Sequence, residues 1–86
     1  MTTPSQRPAT APELELDVRD VLRAGGEPFP QIMAAVESLG AAEVLHLRAT
    51  FEPKPLLNLL GSRGFAHETK AHAPDDWSAW FWRAGE

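Results

Sequence analysis

Three sets of residues in this sequence are of the types that could do chemistry. The first is polar: Asp17, Arg19, Asp20, Glu27, Thr50 and Glu52. Each stands where a candidate strand ends or a candidate helix begins. In an open α/β sheet such a corner gathers helix N-termini and their unpaired N–H groups, and ligands bind there. Glu27 could cap a helix or act as a general base, and Arg19 could hold an anion. The plainer account is that Glu27 and Glu52 favour the positive helix ends, for about 0.3–1 kcal/mol each.

The second set is aromatic. Alternation places Trp77, Ala79 and Phe81 on one face of a candidate strand and Ser78, Trp80 and Trp82 on the other. If that second face is uncovered, Trp80 and Trp82 form a partner-binding surface of hot-spot composition. The competing account is that long side chains such as Arg48 and Lys70 lie over the rings. The third set is His46, His67 and His72. On a continuous strand His67 and His72 face opposite ways, His46 points away from the core, and no HExxH-like spacing occurs. They read as unrelated surface or half-buried histidines, with no metal and no cofactor expected.

Other chemistries have little footing. The chain has no cysteine, so disulfides, thiolate zinc sites and CxxC redox pairs are excluded. Ser5, Ser38, Ser62 and Ser78 lack a G-x-S-x-G setting, and local structure places no histidine near any of them. Gly25-Gly26 is too short to cradle a phosphate and reads as a turn. The net charge is −4, from 12 acidic and 8 basic residues. The basic residues are scattered, which argues against nucleic acid, since phosphates demand a basic footprint. No apolar run reaches membrane-spanning length, and the first twelve residues carry no signal-peptide pattern. A cytoplasmic setting is expected.

The elements that must position these residues follow from the hydrophobic pattern. Residues 1–12 are rich in Pro, Thr and Ala and are expected as a mobile tail; residues 13–86 are expected as one domain. ELELDV from Glu13 alternates, with Leu14, Leu16 and Val18 on one face. After Gly25-Gly26, Pro28-Phe29-Pro30 opens a helix carrying Ile32, Val36 and Leu39, ending before Gly40. Residues 42–51 form a second strand with Leu45, Leu47 and Ala49 inward and Val44, His46 and Arg48 outward. Pro53 and Pro55 open a second helix bearing Leu56, Leu57, Leu59 and Leu60, stopped by Gly64. Strands over 65–71 and 77–83 close the domain. The order β-α-β-α-β-β predicts an α/β two-layer sandwich, with a four-stranded mixed sheet and two helices on one face.

This order, the Leu16-Asp17-Val18-Arg19 start and the Pro28-Phe29-Pro30 helix opening resemble the TusA/SirA-like two-layer fold. Within that group the chain looks most like an uncharacterised bacterial branch, a domain of unknown function. The matching pieces are Glu15-Leu16-Asp17-Val18-Arg19, Phe51-Glu52-Pro53-Lys54-Pro55-Leu56, Arg63-Gly64-Phe65 and Trp77, together spanning roughly residues 13–83. Two departures matter. TusA-type carriers place a cysteine in a Cys-Pro-x-Pro motif before the first helix, and here Glu27 stands in its place, so no persulfide can form. Where the branch has an Asn-Asp-His-Asp-Pro-like loop, this chain has Ala49-Thr50-Phe51-Glu52-Pro53, and the histidine position falls on Phe51.

The resemblance also implies that the last strand lies beside the second, which brings Trp80 and Trp82 next to His46 and Arg48. The leading expectation is a non-catalytic protein-interaction or regulatory module. Its partner, or a second copy, would dock on the open sheet face at Trp80, Trp82, His46 and Arg48. The alternative is a small-molecule or anion-binding domain, with or without weak enzymatic activity, using Glu27, Arg19, Asp17 and Glu52.

Overall fold

A computed structural model describes residues 11–40 and 42–83. The expected tail lies outside the described residues over positions 1–10. Its last two residues are tied in: the Pro12 carbonyl accepts the Val44 N–H at 2.9 Å.

The chain runs β1 (Glu13–Asp17), α1 (Arg19–Arg23), α2 (Phe29–Ser38), β2 (Val44–Ala49), α3 (Lys54–Ser62), β3 (Phe65–Ala73) and β4 (Asp76–Arg83). The four strands form one mixed sheet in the order β1-β2-β4-β3. β1 and β2 are parallel; β4 is antiparallel to both β2 and β3. The two-layer sandwich expected from the alternation and the Pro-opened helices is therefore present, with the helix layer on one face. No helix among the described residues is long and apolar enough to cross a membrane.

Period-2 alternation sorts the strands onto two faces. Leu45, Leu47, Ala49, Ala79, Phe81 and Phe65 meet Ile32, Val36, Leu39, Leu56, Leu57 and Leu60 of the helix layer in one continuous core. Burying a leucine such as Leu60 in this way contributes about 1.5–3 kcal/mol. Leu14 departs from its expected inward role and is 40% exposed. β1 is an edge strand, and the helix layer closes over its C-terminal end only, where Val18 is fully buried.

Three local details were not legible. Residues 19–23 form the extra helix α1, a single turn too short to show a 3.6-residue period. The Asp17 carboxylate starts it by accepting the Arg19 N–H at 3.0 Å. It ends at Gly25, whose φ of +78° suits glycine. Secondly, Gly40 does not take the left-handed C′ role: the helix stops at Ser38, Leu39 is extended, and the Gly40 N–H donates to the Glu43 carboxylate at 2.6 Å. Thirdly, β3 runs on to Ala73, so the hairpin turns at Pro74-Asp75, and the register slips between Ala71 and Ala73. That irregularity places His72 as the extra residue of a bulge. Gly64 does terminate the second long helix, at φ +90°.

Candidate functional site

The residues with chemical potential fall into two places on opposite sides of the sheet. On the helix side lies an apolar groove of about 280 Å³ lined by Leu22, Pro28, Phe29, Ile32, Phe51 and Pro53, among others. It sits at the expected corner, between the start of α2 and the β2–α3 connection. Glu27 is its one charged lining residue, and the Glu27 carboxylate accepts the Phe29 N–H at 3.3 Å, a capping role for α2. Phe29 and Phe51 remain 45% and 50% exposed.

The expected partners of Glu27 are elsewhere. Arg19 does not line the groove; its guanidinium grips both oxygens of Asp17, at 3.0 and 2.7 Å, and reaches Asp76 at 3.3 Å. Glu52 is near Lys54, at 3.9 Å, and Asp20 near Arg23, at 3.7 Å. The single anion-holding corner of Glu27, Arg19, Asp17 and Glu52 is thus not assembled. The physical reason is that Asp17 lies on the helix-free face of β1, and a bidentate carboxylate two residues away is a stronger attractor for Arg19 than an apolar groove.

The helix-free face carries the polar network. Arg48 donates to Asp76 at 2.7 Å, so Asp76 joins Arg19 to Arg48 across three elements. Arg48 Nε is buried with no hydrogen-bond partner among the described residues. The Arg19 hydrogen bond holds the Asp17 carboxyl well below the usual range, at about 2, and the Arg48 hydrogen bond lowers that of Asp76. Both carboxyls are depressed on folding, so their stabilisation is full above their unfolded value near 4 and is lost as pH falls through the folded value. Urea melts at about pH 5 and about pH 2.5 should show a loss of stability on acidification, and Asp17→Asn should flatten that dependence. An equal slope in the variant would show that the pair contributes nothing, as many exposed ion pairs do.

Beside this network, His46 Nε2 and His72 Nε2 both meet the Ser78 hydroxyl, at 3.0 and 2.8 Å. Ser78 is 1% exposed. The expectation that no histidine neighbours a serine, and that His46 and His72 are unrelated, is corrected here. The strand order causes it, because β4 lies between β2 and β3 and carries Ser78 between the two rings. His67 is on the other face, tilted against Phe81 at 6.3 Å between centroids.

Trp80 and Trp82 do lie on this face next to His46, with Trp80 opposite His46 and Trp82 opposite Val44. They are not open to solvent as an uncovered sheet face would leave them. Their exposures are 8% and 6%, and with Val44 they form a second apolar cluster packed by Ala11 and Ala66. His46 stacks on Trp80 with centroids 4.7 Å apart and an interplanar angle of 15°. Among the described residues these are the groups packed against the two rings, and the Arg48 guanidinium, named as a possible cover, hydrogen-bonds Asp76.

No curated protein and no solved structure matches the chain. A family model described as "Uncharacterized conserved protein (DUF2249)" matches residues 15–83, which takes in both the groove and the polar face. With most of its length matched, the chain belongs to the uncharacterized conserved family DUF2249.

Proposed function

We propose that the chain is a non-catalytic interaction module that binds a protein partner through the groove between α2 and the β2–α3 connection. The observation that carries this reading is the pair Phe29 and Phe51, half-exposed around one apolar depression. A domain of this size has little apolar side chain to spare, and this one hides even Trp80 and Trp82. Two exposed phenylalanines at one groove are therefore better explained by a partner that covers them. Glu27 in the lining and Glu52 beside Phe51 favour an apolar partner side chain flanked by Lys or Arg. The buried Trp80 and Trp82 are poorly suited to the direct contact first expected of them, and the anion-binding alternative is weakened because Arg19 is engaged by Asp17 and Asp76.

The finer kinship we propose is with TusA/SirA-like bacterial domains. The strand and helix order supports it, as does Glu27 before Pro28-Phe29-Pro30 at the position of the carrier cysteine. With no cysteine in the chain, persulfide relay is not among its functions. The same lack of cysteine suits a reducing, cytoplasmic setting.

Selection from a random-peptide display library tests the reading. Selected peptides should carry an aromatic or aliphatic residue beside Lys or Arg. Phe29→Ser with Phe51→Ser should weaken them by about 30-fold or more, the scale of a hot-spot residue, with the circular dichroism spectrum unchanged. Peptides that bind the double variant as well as the wild type would end the proposal.

A further inference from the structure

We infer that the helix-free face holds a binding site for a first-row divalent metal ion, with Zn²⁺ the best fit, ligated by His46 Nε2 and His72 Nε2. Two imidazole nitrogens from different strands converge within 3.0 Å of one hydroxyl oxygen, that of Ser78. Imidazole nitrogen is a favoured ligand for zinc, copper and nickel.

The hydrogen-bond arithmetic supports a ready ligand. Ser78 has one hydroxyl proton, so when both rings are neutral one Nε2 accepts it and the other donates to Oγ. The Glu13 carboxylate, 3.8 Å from His46 Nδ1, favours the proton on Nδ1 and leaves the His46 Nε2 lone pair directed at Ser78. A carboxylate behind the remote ring nitrogen is the usual second layer of a zinc-bound histidine. His72 then donates from Nε2; on metal binding its proton moves to Nδ1, so neutral rings need lose no proton.

His72 is exposed, so an ion can enter from solvent. Among the described residues no three His, Asp or Glu side chains gather in a metal-holding group. The remaining positions would therefore be filled by water and the Ser78 hydroxyl, as in an open rather than a structural zinc site. This site is independent of the groove, which lies on the opposite side of the sheet.

The test is a titration of the chelator-treated full chain with Zn²⁺, followed by calorimetry and by imidazole nitrogen NMR. One equivalent should bind, shifting the Nε2 resonances of His46 and His72 and leaving those of His67 in place. His72→Ala, which removes an exposed ring and leaves the core intact, should weaken binding at least about tenfold, and Glu13→Gln should also weaken it, by about tenfold. Zn²⁺ affinity unchanged in His72→Ala would overturn the assignment. So would a wild-type titration in which neither ring responds.

Discussion

Phe81→Ala is expected to destabilise the domain by about 3–5 kcal/mol, the usual cost of truncating a buried aromatic ring. Phe81 is 1% exposed, pairs with Leu45 across the sheet, and belongs to the core under the helix layer. Domains of this kind have about 5–15 kcal/mol in all, and small ones stand near the lower end. The variant should therefore be largely unfolded or melt at much lower urea, as circular dichroism would report. Phe51→Ala is the control: half-exposed at the groove, it should stay within about 0.5 kcal/mol of wild type. A Phe81 variant as stable as that control would mean that the core is not packed as described.

Trp80→Ala should cost a similar amount, about 3–5 kcal/mol, on the other side of the same strand. Here the loss would come from the Val44–Trp82 cluster and from the ring stacked on His46. The measurement separates two views of the aromatic face. If the rings are covered within one chain, Trp80→Ala lowers the urea midpoint and moves the His46 ring resonances. If instead they are exposed in solution for a partner, the variant keeps its midpoint and loses only association. Recovery of full stability in the variant would return Trp80 to the role of a contact residue.

Much of the fold was written in local pattern. The alternation in ELELDV and in residues 44–49 fixed which strand residues face the helices, and Pro28, Pro30, Pro53 and Pro55 marked where the long helices start. What escaped was either too short or too distant. α1 is a single turn, and the slip at His72 is a one-residue irregularity with no sequence periodicity behind it. The site was less legible than the fold for a related reason. Asp17 and Arg19 are neighbours in the chain, so their pairing was within reach of sequence reasoning, yet the third member, Asp76, arrives from 57 positions away. His46, Ser78 and His72 meet only because β4 inserts between β2 and β3. The burial of Trp80 and Trp82 was missed because a sheet face without helices was equated with an exposed one. Among the described residues, Val44, Ala11 and Ala66 pack with the two rings and His46 stacks on Trp80.

The position of β4 also governs the order in which this domain can be made. The last described strand occupies an interior place in the sheet, and its partners are drawn from residues 44–49 on one side and 65–73 on the other. Until residue 83 has been synthesised, β2 and β3 have no strand between them and the core lacks Ala79 and Phe81. A nascent chain can form the local helices early, but the non-local pairings that close the sheet must wait. Emergence of residues 76–83 from the ribosome is the step after which this domain can first hold its native shape.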